Sequence, residues 1–131
     1  MKFMMLMQGT QSGWESMGTW APAEIKAHIG FMSNLAKELM SSGELVLAEG
    51  LDMPGNAKIV RALKESAPTV MDGPFPETKE FLAGFWIIDC ETPQRAVEIA
   101  ARASTAPGRG GAPLGIPIEV RQVMSHPEVE A

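Results

Sequence analysis

Ala83-Gly84-Phe85-Trp86-Ile87-Ile88-Asp89-Cys90 is predicted to form a central β-strand of this chain. Its large side chains alternate between the two faces of an extended strand, with Phe85 and Ile87 on one face and Trp86 and Ile88 on the other. A strand that is apolar on both faces is typical of the covered centre of a sheet. Residues 2–8 show the same pattern, so we place both strands at the centre of one sheet.

Helices and further strands alternate along the rest of the chain. Pro22 begins a helix that ends before Gly43, with apolar residues at Ile25, Ile29, Met32, Leu35, Ala36 and Leu39. Thr92-Pro93 begins a second helix, whose predicted buried side holds Ala96, Val97, Ile99, Ala100 and Ala103. Strands are predicted over residues 44–51, 58–63, 69–71 and 118–123. The predicted order is βαβ, a hairpin, then βα and a closing strand.

Two segments without regular periodicity are predicted as loops. Residues 9–21 carry Trp14 and Trp20, which form either a lid over the core of the same subunit or an aromatic wall over a ligand or a dimer contact. Residues 105–117 are rich in Gly and Pro, and we expect a mobile loop there. The amides of residues 108–111 could cradle an anion, although no strand and helix flank them as in a phosphate-binding loop.

Composition excludes several classes of function. The chain has 131 residues, which fits one domain over residues 1–131 with a frayed tail from 125 to 131. Its net charge of −5 opposes binding to nucleic acid or to an anionic membrane. The apolar start is too short for a signal peptide or a membrane span, and Cys90, the only cysteine, excludes an internal disulfide. We expect a cytoplasmic protein without a metal or other cofactor.

Residues 72–80, Asp-Gly-Pro-Phe-Pro-Glu-Thr-Lys-Glu, form the most restricted loop of the sequence. Pro74 fixes its own backbone and Pro76 restricts the residue before it. The carboxylate of Asp72 then has two interpretations. It either accepts a hydrogen bond from the Phe75 amide as a turn former, or it lies at the lip of a cavity with Lys79 and Glu80 returning toward it on a short helical turn.

Two further polar residues share a face with apolar ones. His28 lies within the apolar arc of the first helix and is therefore predicted to point toward the sheet, either as a core residue or as a catalyst. Glu49 shares a strand face with Leu45 and Leu47, so its carboxylate is either solvated or part of a polar pocket.

The chain resembles the YCII-related proteins, and specifically their DGPF branch. The resemblance rests on Asp72-Gly73-Pro74-Phe75, on Glu77-Thr78-Lys79-Glu80 and on Gly84-Phe85-Trp86-Ile87-Ile88-Asp89. It implies a ferredoxin-like antiparallel sheet with two helices on one face, which dimerises as an α+β barrel. It also implies a pocket with a histidine and an aspartate, since some members of the wider superfamily are lyases or isomerases acting on small molecules.

Two hypotheses for function follow. In the first, the protein is a lyase or isomerase in which His28 and Asp72 are catalytic, because an imidazole beside a carboxylate can accept and return a proton. Lys79 or Arg121 would then hold a small acidic ligand, and Glu49, Phe75 and Trp86 complete the predicted substrate-binding set. In the second, the protein is a non-catalytic binding or accessory module associated with sigma-factor systems. Both hypotheses include a homodimer that buries the helix-free face of the sheet.

Overall fold

The computed structural model of the protein describes residues 1–73 and 80–124. Within these ranges the strands are β1 (Lys2–Thr10), β2 (Leu45–Gly50), β3 (Lys58–Arg61), β4 (Thr69–Asp72), β5 (Glu80–Asp89) and β6 (Ile118–Gln122). The α-helices are α1 (Gln11–Met17), α2 (Pro22–Ser41) and α3 (Pro93–Ser104), and short 3₁₀ turns cover Pro54–Asn56 and Arg109–Gly111.

Four strands form one antiparallel sheet in the order β2-β5-β1-β6. The two strands that are apolar on both faces, β1 and β5, occupy its centre, and Met5 lies opposite both Trp86 and Val120. The predicted α+β class and the central position of these strands are confirmed. A centre of this kind is expected because each of its residues has a neighbouring strand on both sides and a covering layer on at least one face.

The core lies between the sheet and helices α2 and α3. Its most deeply buried side chains are Met5, Leu35, Leu39, Ile88 and Ile99. Helix α2 contributes its second half, and α3 contributes small residues, mostly alanines, that let the helix approach the sheet closely. Burial of five such side chains accounts for much of the stability of a domain of this size, at roughly 1.5–3 kcal/mol for each.

In the part of the chain that the structure describes, helices α2 and α3 both pack on one face of the sheet and leave the opposite face uncovered. Met4 lies opposite Ile87 and Leu6 lies opposite Phe85, so these four side chains form an apolar strip that is only half-buried. Charged residues of β6 border the strip, because Arg121 lies opposite Met4 and Glu119 lies opposite Leu6.

Three sequence expectations for these elements were wrong. Part of the predicted loop over residues 9–21 is helix α1, which Thr10 begins by accepting a hydrogen bond from the Gly13 amide at 3.0 Å. Its residues are not buried, so it left no periodic pattern to detect.

Ile25 and Ile29 of α2 and Val97 of α3 are exposed, since the helices meet the core along narrower stripes than their apolar arcs. The first half of α2 therefore lies beyond the core.

Strand β2 also departs from the predicted alternation. Its pairing with β5 is irregular between Leu45 and Leu47, which pair with Ile88 and Ile87 respectively. An irregularity of this kind moves the following residues to the other face. As a result Leu45 and Ala48 pack against the core, whereas Leu47 is exposed.

Strands β3 and β4 form a separate two-stranded sheet, and β3 ends at Arg61, two residues before the predicted end of that strand. Val60 lies opposite Val70, and the two side chains are 64% and 62% exposed. At its base the Gly73 amide donates to the Ala57 carbonyl at 2.8 Å. Because an isolated hairpin is only marginally stable in water, these exposed valines make the hairpin a candidate for contact with another surface.

Cys90 is buried, as predicted, and its thiol donates to the Thr92 carbonyl at 3.4 Å. Burial raises the pKa of this thiol, and the nearby Glu44 carboxylate raises it further. A thiol in such surroundings packs as a small apolar group and is a poor nucleophile.

In the ranges 1–73 and 80–124, none of the helices is both long and apolar enough to span a bilayer.

Candidate functional site

A cavity of about 600 Å³ lies at the end of the sheet where β1 and β2 finish and β5 begins. Six segments of the chain line it. They are residues 7–10 of β1; Gly13, Trp14 and Met17 of α1; Trp20, just before α2, together with His28 of that helix; residues 48–50 of β2; Glu80, Phe81, Ala83, Gly84 and Trp86 of β5; and residues 114–117. A cavity of this volume suits a small organic molecule.

Aromatic side chains form much of the cavity wall. Trp14, Trp20 and Trp86 all line it, and they are the three tryptophans of the chain. The rings of Trp14 and Phe81 meet edge to face, with centroids 6.5 Å apart. Of the tryptophans in residues 9–21, Trp20 is buried and Trp14 is an exposed residue of the cavity wall, and their contact with a ligand or a second subunit stays a prediction. An aromatic wall favours flat, largely apolar ligands.

His28 is the only imidazole in the described lining of the cavity. The ring is half-buried, its Nδ1 lies 3.1 Å from the Pro107 carbonyl oxygen, and the Trp20 ring packs edge to face against it at 5.9 Å. A carbonyl oxygen only accepts hydrogen bonds, so Nδ1 carries the proton when the ring is neutral. The lone pair of such a ring is on Nε2, which makes Nε2 a proton acceptor.

Two carboxylate residues also line the cavity. Glu80 begins β5 opposite Thr10, so the predicted helical turn at this residue is a strand. Glu49 lies opposite Phe85, and Ala48 next to it packs on the helix-covered face. Since neighbouring strand residues point to opposite faces, Glu49 forms part of the cavity edge through its backbone. Sequence reasoning missed Glu80 as a site residue, although its position just before a doubly apolar strand was visible.

The structure brings together only part of the predicted site. His28, Glu49 and Trp86 line the cavity, whereas Asp72 lies in the hairpin, 81% exposed, with its carboxylate 2.5 Å from the Lys58 ammonium. Arg121 lies on the helix-free face of the sheet, opposite Met4. Phe75 and Lys79 lie outside the described residues, as does the predicted contact between Asp72 and the Phe75 amide. The pairing of His28 with Asp72 stays a prediction.

The glycine- and proline-rich residues 105–117 are folded onto themselves. The Gly108 amide donates to the Ala112 carbonyl at 2.7 Å, and the Leu114 amide donates to the Ala106 carbonyl at 3.0 Å. The Ser104 hydroxyl donates to the Ile116 carbonyl at 2.7 Å. We name residues 105–117 the closing loop, because their last four residues close one side of the cavity. The expectation of a mobile segment overlooked these contacts.

One amide of residues 108–111 meets an anion that belongs to the protein, whereas the Gly108 and Gly111 amides donate to the Ala112 and Gly108 carbonyls. The Gly110 amide donates to the Glu24 carboxylate of α2. In the described part of the chain, no three His, Cys, Asp or Glu side chains are grouped so that they could hold a metal ion.

The four-stranded sheet, its packed helices and the cavity at its end define a small α+β protein with an aromatic-walled cavity. Residues 1–111 match the model of the YCII-related domain, and the chain belongs to the YCII-related domain family. An uncharacterized protein of Rhizobium meliloti (strain 1021) is similar, with 32% identity over 87 residues that cover 66% of this chain and 69% of the relative.

Proposed function

We propose that the protein is an enzyme of the lyase or isomerase type, in which the cavity binds a flat small molecule and His28 transfers a proton on it. The observation that carries this proposal is the orientation of the His28 ring. Its Nδ1 is held by the Pro107 carbonyl at 3.1 Å, so the neutral ring offers Nε2 as a base in a cavity walled by tryptophan.

The cavity supports proton transfer in two ways. Its aromatic wall would shield a bound molecule from water on the sides that it contacts, which would strengthen the effect of each polar group there. The imidazole can accept a proton and return it at another position of the substrate, which is the step common to isomerisation and to elimination.

The substrate class combines an apolar body with an acidic group. The four aromatic rings of the cavity wall provide the contact for the body. For the acidic group we propose Lys79, which directly precedes the cavity residue Glu80 in the sequence. Arg121 does not serve in this role within the same subunit, because it lies on the opposite face of the sheet.

Tryptophan fluorescence provides the test, because all three tryptophans line the cavity. We would screen flat carboxylic acids with an acidic C–H bond for a change in emission. Each binder would then be incubated with the protein in D₂O, and incorporation of deuterium at carbon would be followed by mass spectrometry. Wild type should catalyse the exchange, and His28→Gln should bind with similar affinity and lose at least about a hundredfold in exchange rate. Lys37→Gln, on the exposed side of α2, is the matched control.

The second candidate is a binding or accessory module without chemistry. It is favoured by the position of Asp72, which pairs with Lys58 in the exposed hairpin and leaves His28 without the expected carboxylate from its own subunit. The exchange experiment separates the two candidates. Binding without exchange in wild type would remove the enzyme and leave the module, and the absence of any binder among such acids would count against the proposed ligand class.

The assembly that we propose is a homodimer of two ferredoxin-like units whose sheets form an α+β barrel, as in the DGPF branch of the family. The strand order β2-β5-β1-β6 supports the ferredoxin-like unit. The apolar strip on the helix-free face supports the pairing, since a second copy of the same strip would cover it. In a symmetric pair Arg121 of one copy can meet Glu119 of the other, which gives the strip a complementary border.

Sedimentation of two variants tests the dimer. Leu6→Glu places a charge in the apolar strip and should convert the protein to a monomer at micromolar concentration. Val97→Glu places the same charge on the exposed side of α3 and should leave the dimer intact. A wild-type protein that sediments only as a monomer would overturn the proposed assembly.

A further inference from the structure

The closing loop is joined to the start of α2 by three contacts between distant parts of the chain. His28 Nδ1 meets the Pro107 carbonyl at 3.1 Å, one oxygen of Glu24 accepts from the Gly110 amide, and the Arg109 guanidinium donates to the Thr19 hydroxyl. Glu24 and His28 are separated by one helical turn, so they lie on the same side of α2. The loop therefore contacts α2 on the one side that holds Glu24 and His28.

Glu24 is the only one of these residues that also holds the helix start. Its second oxygen accepts from the Ala21 amide at 2.8 Å, which completes half of a capping box. One carboxylate thus connects the first turn of α2 to a loop 86 positions further along the chain. The Gly110 amide, followed by the Ala21 amide, holds the pKa of the Glu24 carboxyl below its ordinary value. The residue is therefore an anion when it makes both contacts.

The position of the closing loop decides the state of the His28 ring. Hydrogen bonds within the loop hold its residues together, from the Gly108 amide to the Ala112 carbonyl and from the Leu114 amide to the Ala106 carbonyl. If the Gly110 end moves away from α2, the Pro107 carbonyl moves with it. The imidazole then loses the acceptor that keeps the proton on Nδ1, and it can turn or change tautomer.

We propose that Glu24 is a positioning residue for His28, which fixes the closing loop so that the Pro107 carbonyl keeps Nε2 free to accept a proton. Its importance for catalysis rests on the proposed function of His28. The geometric part of the proposal does not, since the tautomer of the ring can be measured in the absence of any substrate.

Nitrogen-15 NMR of the histidine rings tests the geometric part. A His28→Gln spectrum assigns the His28 signals against those of His126, the other histidine in the chain. Wild type should show the Nδ1-protonated tautomer at neutral pH. Glu24→Ala, which removes both hydrogen bonds, should show mixed tautomers and exchange of the Gly110 amide faster by about tenfold.

Two more variants separate positioning from general loss of stability. Glu24→Gln keeps the side-chain size but presents an N–H group to one of the two amide donors, so it should reproduce the tautomer change in weaker form. Glu38→Gln removes a carboxylate from the far end of the same helix, where it pairs with Arg102, and should leave the His28 signals unchanged. Melting temperatures of all variants show which of them remain folded.

The outcomes distinguish this proposal from the proposed function. A His28 tautomer that stays the same in Glu24→Ala and in Glu24→Gln would overturn the positioning role. If the tautomer changes as expected and the wild-type protein catalyses no deuterium exchange on any bound molecule, the positioning role stands and the catalytic function fails. If both hold, Glu24→Ala should slow the exchange while fluorescence shows nearly unchanged binding.

Discussion

Gly108→Ala is the substitution whose cost follows most directly from the structure. Gly108 is buried in the closing loop, where its backbone has φ −116° and ψ −142°. A Cβ atom there would lie 2.6 Å from Leu114 Cδ2 and 3.3 Å from Trp20 Cζ2. Because carbon atoms pack at about 3.5–4.0 Å, the Leu114 side chain must move by about 1 Å. Leu114 and Trp20 both line the cavity, so the cavity changes shape with it.

Overpacking of this kind lowers the free energy of unfolding by about 1–3 kcal/mol. For a chain of this length the melting temperature should fall by roughly 3–10 °C. Thermal unfolding followed by circular dichroism measures the loss, and tryptophan emission of the folded variant reports the displacement of Trp20. We expect a changed emission maximum together with weaker binding of any cavity ligand.

Gly55→Ala is the matched control. A Cβ atom at Gly55 would meet no atom within 4 Å, so this variant should melt within about 0.5 kcal/mol of wild type. A Gly108→Ala protein with wild-type melting and wild-type emission would show that the packing around Leu114 is looser than the distances indicate, and the reasoning would fail.

Three more outcomes are expected. Gly30→Ala, inside α2 and with open space around its Cβ position, should raise the free energy of unfolding by about 0.5–1 kcal/mol in urea titrations. Ile88→Ala should lower it by about 2–5 kcal/mol, because the side chain is fully buried in the core. The Arg95 guanidinium holds the pKa of the Glu44 carboxyl below its ordinary value of 4.5. The stability from this pair is therefore present above about pH 4.5 and is lost as the pH falls through the lowered value, so wild type and Arg95→Ala should differ at pH 7 and converge in acid.

The centre of the sheet was predictable from sequence because burial on both faces leaves a direct record. Residues such as Met5 and Trp86 are buried and therefore apolar. A strand that is apolar on both faces is expected only at the covered centre of a sheet, so two such strands in a short chain indicate where that centre lies. The same argument failed for the first half of α2. Periodicity shows which residues share a side of a helix, but it does not show what that side meets, and Ile29 is 60% exposed.

The cavity was less predictable because its lining comes from six segments that only the strand order brings together. His28 was found through its unusual place among apolar residues, whereas Glu24 looked like an ordinary first-turn glutamate. Its partner Gly110 lies 86 positions away, in a loop whose composition indicated mobility. Asp72 was conspicuous in the sequence, and in the structure it lies in the β3–β4 hairpin and is not among the described residues that line the cavity of its own subunit.

Gly50 and Gly84 both line the cavity, but their surroundings differ. A Cβ atom at Gly84 would lie 3.0 Å from the Glu49 carbonyl oxygen, so the close approach of β2 and β5 is enough to explain a glycine there. A Cβ atom at Gly50, on the neighbouring strand, would meet nothing within 4 Å. Because Gly50 is exposed and no neighbour lies beside it, packing within the subunit does not require a small residue there, whereas it does at Gly84.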